Sequence, residues 1–158
     1  MAKNSNNLVG VTGEYFVCAE LCKIGILALT TPKNNPLFDI VAVSPDAERT
    51  VAIQVKTMSK RNNLGWKLGK DICEKKNNPL LYTVLVNLTN NEVEYYVYEY
   101  DVLAERVEKV YRDYLKVKKK DGSNRKEIEF RWYDFKLFSE DDHSRKNNWE
   151  VLGFNINK

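Results

Sequence analysis

Histidine is almost absent from the chain, whose 158 residues include only His143. This scarcity excludes a zinc site of the H-E-x-x-H type and any catalytic arrangement that depends on two histidines. An enzyme with this sequence must therefore work with carboxylates, with lysine and, where it needs a metal, with a hard ion bound by oxygen atoms.

Cysteine is also scarce, since Cys18, Cys22 and Cys73 are the whole set. An odd number of cysteines is not a disulfide framework. Cys18 and Cys22 stand four residues apart on a predicted helix, which separates their Cβ atoms by ~5–6 Å, whereas a disulfide needs about 3.8 Å. A metal site on this pair would need two further ligands, so the favoured interpretation is that both are small core residues.

Long apolar runs are missing as well. No segment approaches the ~20 residues of a membrane helix, and the N-terminal MAKNSNNLVG resembles neither a signal peptide nor a transit peptide. We therefore expect a cytoplasmic protein without a membrane partner. Apolar residues make up 43% of the chain and charged residues 30%, which predicts one domain over residues 1–158. The net charge of +3 permits an anionic partner without requiring one.

The predicted elements follow the order of an α/β domain with a mixed central sheet flanked by helices. Thr12 is the predicted N-cap of the first helix, and Asp101 that of a later one. By residue number, we predict a helix at 12–24, strands at 25–31, 37–43 and 50–57, a short helix within 68–78, strands at 80–88 and 92–100, a helix at 101–114, a strand at 127–138 and a loop at 139–148.

Three polar residues interrupt strands that are otherwise apolar enough to be buried on both faces: Asp39 in FDIVAV, and Gln54 and Lys56 in AIQVKT. Burying such groups costs several kcal/mol each unless they are paired or bound to a metal. If Asp46 and Ala47 form the turn between the strands, Asp39 lies opposite Gln54 on one face of the sheet. Lys56, two residues further on, shares that face.

The first helix offers a second carboxylate near these residues. Val17, Leu21 and Ile24 mark its buried stripe, and the stripe extends backward by three residues to Glu14. Glu14 is therefore predicted to lie in the first turn and to point along the core face.

These side chains form a plausible ligand set for a hard cation. Asp39 and Glu14 provide anionic oxygens, Gln54 a neutral amide oxygen and Val55 a backbone carbonyl, which suits Mg²⁺ or Mn²⁺ with waters completing the octahedron. Lys56 would orient or deprotonate a water, or stabilise charge on a phosphate. The alternative is an exposed hairpin in which Asp39 and Lys56 form a surface ion pair.

The segments GEYFVCAELCKIG, FDIVAV and AIQVKT, in this order, resemble the PD-(D/E)xK nuclease superfamily. They are most similar to its branch with a G-E first helix, one D on the second strand and Q-x-K on the third, to which Holliday-junction resolvases and Mrr-like restriction nucleases are related. The resemblance covers residues 11–88. It implies a restriction-endonuclease-like α-β-β-β-α-β core at about 11–100, followed by a C-terminal extension at about 101–158.

The resemblance also implies a function. The protein would be a Mg²⁺- or Mn²⁺-dependent DNA endonuclease that hydrolyses phosphodiester bonds in duplex or branched DNA through a metal-activated water. Asp39 and Gln54 would be metal ligands, Glu14 an outer or second ligand, and Lys56 the catalytic lysine. The chain departs from the commonest pattern at two positions. Phe38 precedes the aspartate where the family pattern has a proline, and Gln54 stands where the family pattern has an acid. The loss of that charge leaves an alternative, a catalytically inactive nucleic-acid-binding or assembly domain.

Basic residues are in excess directly after Lys56, since residues 56–76 contain seven lysines and arginines against two acidic residues. We expect this stretch to contact DNA phosphates, with a base stacked on Trp66, although a core position is the favoured interpretation of Trp66 taken alone. A second basic run, at 116–126, is either a solubilising loop or a DNA clamp. The predicted DNA-binding residues are Lys60, Arg61, Trp66, Lys67 and Lys70.

Tyrosines line the predicted strand at 92–100. Tyr96, Tyr98 and Tyr100 share one face, which predicts a buried aromatic layer. The alternative is a contact surface in a homodimer.

Overall fold

The structure is a computed structural model that describes residues 2–32, 35–58 and 64–156, with the backbone alone for residues 2–6. Its elements in these ranges are α1 (Ala2–Lys23), β1 (Leu27–Thr30), β2 (Ile40–Val43), β3 (Thr50–Met58), β4 (Gly65–Gly69), a 3-10 helix (Lys70–Cys73), β5 (Leu81–Asn87), β6 (Glu94–Glu99), α2 (Tyr100–Lys116), β7 (Phe130–Asp134), a 3-10 helix (Phe135–Leu137), α3 (Glu140–Ser144) and a 3-10 helix (Trp149–Leu152).

The main sheet has five strands in the order β1-β2-β3-β5-β6. The β3–β5 pair is parallel and the other pairs are antiparallel, so the sheet is mixed. Every residue of β5 is buried, as expected for a central strand without polar alternation. This architecture confirms the predicted α/β fold class with a mixed sheet flanked by helices.

Helix α1 is longer than predicted and begins at Ala2. Thr12 is therefore not an N-cap, and Glu14 is not in the first turn. The hydroxyl of Thr12 donates a hydrogen bond to the carbonyl of Leu8 one turn earlier, at 2.6 Å, so this side chain is satisfied inside the helix. The chain has no proline before Pro32 that would stop the helix from extending backward.

The crossover between β3 and β5 differs from the predicted short helix. It contains β4 and a 3-10 turn, because Trp66 and Leu68 alternate with exposed Lys67 and so have the period of a strand. β4 pairs with β7 from the C-terminal region to form a separate two-stranded sheet, which we call the ribbon. The region after residue 100 therefore contributes to the core as well as extending it.

Two capping predictions are also corrected. Glu99, not Asp101, is the N-cap of α2. The carboxylate of Asp101 accepts hydrogen bonds from the backbone N–H groups of Lys76 and Asn77, at 2.7 and 2.8 Å, and so ties the crossover to the start of α2. The predicted loop at 139–148 contains α3, which begins in a capping box between Ser139 and Asp142.

The main sheet is covered on both faces. On the α1 face, Val17 and Leu21 pack against Ile40 and Ile53. On the opposite face, which we call the α2 face, α2 and the ribbon pack on β5 and β6. The buried residues there include Met58, Trp66, Leu85, Tyr96, Tyr98, Tyr100, Leu103 and Tyr133.

The tyrosines of β6 belong to this α2-face core. Tyr96, Tyr98 and Tyr100 are buried, which confirms the predicted aromatic layer and removes these side chains as a dimer contact. Cys18, Cys22 and Cys73 are free thiols, as predicted; Cys18 packs beside the core, but Cys22 is exposed and is not a core residue. None of the described helices is long and apolar enough to cross a membrane.

Candidate active site at the open edge of strand β3

The register of the β2–β3 hairpin brings the predicted site residues together. Ile40 pairs with Ile53, and the N–H of Asp39 donates to the carbonyl of Ile53 at 2.9 Å. Asp39 therefore lies opposite Gln54, as predicted. Strand alternation then places Gln54 and Lys56 on the α2 face, together with Met58.

Strand β3 is longer than its neighbour and has an open edge beyond this point. β2 begins at Ile40, so no strand in the described ranges pairs with β3 on that side after Gln54. The Asp39 carboxylate fills part of the gap, because its Oδ2 accepts a hydrogen bond from the N–H of Val55 at 2.7 Å. The N–H and C=O of a strand residue point to the same side, so the Val55 carbonyl also points to this open edge.

Gln54 is held in a definite orientation. Its Nε2 donates to the carbonyl of Leu37 at 2.9 Å, which leaves Oε1 as the amide atom available to a ligand. Lys56 is half-buried, and it makes no ion pair with any residue in the described ranges. The alternative Asp39–Lys56 surface ion pair is therefore not formed.

Glu14 approaches from the other side of the sheet. α1 packs on the α1 face, where Gly13 lies so close to β3 that a Cβ added to it would be 2.0 Å from Oγ1 of Thr57. Glu14 thus lies level with the residue after Lys56, but not on the face that carries Gln54 and Lys56. It can share their site around the open edge of β3, and its place in the ligand set stays a prediction.

The negative charge of the Glu14 carboxylate acts on the thiol of Cys18, one turn later on α1. Burial raises the pKa of the Cys18 thiol to about 11, and the neighbouring Cys22 and Glu14 add to the rise. Glu14 also has interactions with other groups, so it is not a free carboxylate.

The donor set at this edge fits a magnesium-like ion better than a transition metal. Among the described residues, no three His, Cys, Asp or Glu side chains come together as a metal site. A metal here would instead use Asp39, the Val55 carbonyl and Oε1 of Gln54, with Glu14 as the second carboxylate. Mg²⁺ is commonly held by one or two carboxylates and keeps several waters, so these oxygens suit it.

The predicted DNA-binding residues have mixed outcomes. Lys60 and Arg61 lie outside the described residues. Trp66 is only 2% exposed, and its Nε1 donates to the carbonyl of Val86 at 3.1 Å, so it is a core residue and cannot stack on a base. Lys67 and Lys70 are exposed, although Lys70 forms an ion pair with Glu129 at 2.8 Å.

Sequence reasoning missed a buried carboxylate in the C-terminal region. Asp142 accepts hydrogen bonds from the hydroxyls of Tyr98 and Tyr133, at 3.0 and 2.7 Å, and from Nε of Arg106, at 3.0 Å. Burial raises the pKa of Asp142, but hydrogen bonds from Ser139, Tyr133 and Arg106 outweigh it and hold the pKa below its usual value. The Ser-x-x-Asp spacing before α3 is the sequence signal that could have found it. The network connects α3 to β6, β7 and α2, which is a structural role.

No protein-family model matches the chain, and no curated protein is significantly similar to its sequence. Solved structures are informative at the level of fold. The Holliday junction resolvase Hjc of the archaeal hyperthermophile Archaeoglobus fulgidus is 17% identical and aligns over 92% of this chain and 96% of its own, with a TM-score of 0.52.

A second similar structure is the bacterial homing endonuclease I-Ssp6803I. It is 15% identical and aligns over 94% of this chain and 93% of its own, with a TM-score of 0.56. Both neighbours have the restriction-endonuclease-like architecture of the PD-(D/E)xK nucleases, which confirms the resemblance in fold. The chain therefore has the restriction-endonuclease-like fold of these two nucleases.

Proposed function

We propose that this protein is a metal-dependent DNA endonuclease that hydrolyses phosphodiester bonds in duplex or branched DNA. The observation that carries the proposal is the open edge of β3, where the Asp39 carboxylate accepts the Val55 N–H at 2.7 Å and the hydrogen bond from Nε2 of Gln54 to Leu37 leaves its amide oxygen available. The fold shared with a Holliday junction resolvase and a homing endonuclease supports DNA as the substrate.

Each residue of the edge has a role in this proposal. Asp39, Gln54 and Val55 would hold Mg²⁺ or Mn²⁺, and Glu14 would supply a second negative charge from the α1 face. When bound, the ion supplies charge that activates a water and neutralises the phosphate. Lys56 stabilises negative charge that develops on the phosphate.

The state of Lys56 supports its role. The Lys56 side chain is partly covered and has no carboxylate partner in the described residues, so its positive charge is available to an incoming anion. A phosphate placed at the open edge provides that anion. Preorganised positive charge of this kind stabilises the transition state because it needs no reorganisation during the reaction.

The second candidate is a non-catalytic nucleic-acid-binding or assembly domain. It is favoured by the neutral Gln54 and by the position of α1, which carries Glu14, on the opposite face of the sheet, so that among the candidate ligands in the described residues Asp39 alone brings a carboxylate from the α2 side. Activity on DNA separates the two candidates.

The direct test is incubation with plasmid, linear and branched DNA in the presence of Mg²⁺, Mn²⁺ or EDTA. We expect cleavage with either ion and none with EDTA, and a loss of ~10²–10³ in rate for Lys56→Ala. The matched control is Lys23→Ala, which removes a lysine ~15 Å further along α1 from Gly13. A wild type inert on every DNA would support the non-catalytic candidate, and full activity in Lys56→Ala would remove Lys56 from catalysis.

Asp39→Asn tests the metal site separately. The asparagine oxygen can still accept the Val55 N–H, so the hairpin should be retained while the negative charge is lost. We expect calorimetric titration with Mn²⁺ to show weaker binding than in the wild type. Unchanged affinity would remove Asp39 from the ligand set.

The remaining predictions concern the whole molecule: one domain over residues 1–158, a cytoplasmic location and a homodimer. Because the β6 tyrosines are buried, a second copy would need another surface. Leu27 and Leu29 are 54% and 55% exposed on β1, which lies at an edge of the main sheet, and they provide an apolar one. Sedimentation of the wild type and of Leu29→Lys would test this contact.

A further inference from the structure

The ribbon has a polar and aromatic outer face. In its register, Lys67 pairs with Trp132, and Gly69 pairs with Phe130. Trp66 and Tyr133 point inward and are buried, whereas Lys67 is exposed and Trp132 is 42% exposed. An indole this exposed on a two-stranded sheet leaves much of its ring in contact with solvent.

Lys67 lies over the two aromatic rings of this face. Its Nζ is 4.2 Å from the ring centroid of Phe130 and 5.9 Å from that of Trp132. The two rings are themselves in an edge-to-face arrangement, with centroids 5.8 Å apart and planes at 87°. Cation–π contact of this kind positions the ammonium without neutralising its charge.

Two other lysines near the ribbon are paired with carboxylates. Lys70 pairs with Glu129 at 2.8 Å, and Lys136 pairs with Asp134 at 3.6 Å. Lys67 makes no ion pair with any residue that the structure describes. Among the described residues, the outer face therefore offers one lysine without a carboxylate partner, 5.9 Å from the ring centroid of the exposed Trp132.

Lys67 is the one β4 side chain on this face, because Gly65 and Gly69, two residues away on either side, carry no side chains. The space above the glycines is filled by other groups: a Cβ added to Gly65 would lie 2.3 Å from the carbonyl oxygen of Tyr133, and one added to Gly69 would lie 2.2 Å from Oδ1 of Asp71. Access of a flat ligand to the indole therefore rests on the exposed part of Trp132 itself, which is 42% of the residue.

The ribbon is fixed on the sheet face that carries the candidate active site. Trp66 packs with Met58, two residues after Lys56 on β3, and donates its Nε1–H to the Val86 carbonyl on β5. The outer face of the ribbon thus belongs to a rigid element beside the site.

We propose that Lys67, Phe130 and Trp132 form a binding site for an unpaired nucleotide of DNA. The base stacks on the indole of Trp132, and the ammonium of Lys67 binds the adjacent phosphate. The proposal deepens the proposed function, since it takes DNA as the ligand and adds the preference for an unpaired base.

The chemistry of this face favours an unpaired base over a duplex. Base faces within a duplex are stacked on their neighbours, and extruding one costs binding energy that an already unpaired base does not require. A duplex backbone would be recognised by several cations, whereas among the described residues of this face Lys67 is the one lysine without a carboxylate partner. Stacking on an aromatic side chain tolerates any base, so the expected selectivity is for unpaired structure and not for sequence.

Tryptophan fluorescence in EDTA, where metal-dependent cleavage cannot occur, tests the proposal on the full chain. The protein has three tryptophans, and Trp66 and Trp149 are 2% and 8% exposed, so quenching by DNA reports on Trp132. The probes are one sequence as a perfect duplex, as the same duplex with a single-nucleotide bulge, and as a single strand. We expect the bulged duplex and the single strand to quench the fluorescence and to bind more tightly than the perfect duplex.

Variants measured by anisotropy of labelled DNA complete the test. Trp132→Ala should weaken binding to bulged and single-stranded DNA by about 5- to 150-fold and leave the perfect duplex unchanged, whereas Trp132→Phe should keep most of the affinity. Lys67→Met keeps the apolar stem and should reduce the slope of log K against log salt by roughly 0.7 for the single strand. Trp149→Phe, in the α1-face core, is the control and should change nothing.

Equal affinity of wild type and Trp132→Ala for all three DNAs would overturn the proposal, as would binding to none of them. The two proposals fail separately. Loss of cleavage in Mg²⁺ with quenching by the bulged duplex retained would refute only the nuclease, and cleavage without any effect of Trp132→Ala would refute only the nucleotide site.

Discussion

Gly13 stands at the closest contact between α1 and the main sheet, and replacing it with alanine perturbs that contact directly. A Cβ at this position would lie 2.0 Å from Oγ1 of Thr57, 3.0 Å from its Cβ and 3.1 Å from its Cγ2. Ordinary contact begins at 3.4 Å, so helix and strand must separate by about 0.4 Å to relieve the contact with the Thr57 Cβ and by about 1.4 Å if its hydroxyl stays in place. Rotating Thr57 gives only partial relief: one alternative rotamer brings the methyl group toward the same space, and the rotamer that points the hydrogen there still leaves the Thr57 Cβ 3.0 Å from the added Cβ.

The magnitude follows from two opposing effects. Alanine is favoured over glycine in a helix by ~1 kcal/mol, whereas overpacking a tight contact costs ~1–3 kcal/mol. Gly10→Ala is the matched control, since no atom lies within 4 Å of a Cβ added there. We expect Gly13→Ala to be less stable than Gly10→Ala by ~1–3 kcal/mol, or by ~2–12 °C in Tm for a chain of this size.

Thermal and urea unfolding of both variants measure the difference, and a second substitution tests its cause. Thr57 Oγ1 is buried and makes no hydrogen bond within the described residues, so Thr57→Ala alone should cost little. Combined with Gly13→Ala, it should restore most of the lost stability. Equal stability of Gly13→Ala and Gly10→Ala would refute this description of the helix–strand contact. Because Glu14 follows Gly13, the same displacement should also weaken Mn²⁺ binding.

Three further substitutions have expected outcomes. Asp142→Asn should destabilise the protein by ~3–5 kcal/mol, because it leaves the buried end of Arg106 without its counter-ion, whereas Asp141→Asn, 66% exposed, should cost less than ~1 kcal/mol. Since the pKa of Asp142 is lowered by folding, its contribution is present above the unfolded pKa of about 3.9 and is lost as pH falls through the lower folded pKa. Acid titration of unfolding should therefore show the wild type and Asp142→Asn converging at low pH; a constant gap would contradict this origin. Gln54→Glu sets a carboxylate oxygen against the Leu37 carbonyl, so without metal the variant should melt at a lower temperature than the wild type. Mn²⁺ should raise the Tm of the variant by more than it raises the Tm of the wild type. A mutant that melts lower and gains nothing from Mn²⁺ would exclude a metal at this position.

Local patterns were sufficient to predict the centre of the candidate site. The alternation of side chains along a strand and the position of the turn decide which residues face each other, and both are properties of a short segment. Asp39 opposite Gln54, with Lys56 on the same face, therefore follows from the sequence between residues 38 and 57. The mixed α/β fold also follows from the order of apolar segments.

Tertiary packing decided which side of the ribbon is buried and which face of the sheet α1 covers. Strand alternation predicts that Trp66 and Lys67 point to opposite sides of β4. Which side is buried depends on β7, about 65 residues later in the chain, and on the surface of β5 and β6 against which the ribbon packs. The exposed aromatic residue of the ribbon is consequently Trp132 and not Trp66. The position of Glu14 also depends on tertiary packing. The apolar stripe of α1 shows that one side of the helix is buried, but it does not show which face of the sheet the helix covers. Contacts between distant segments carry this information, and no local pattern contains it.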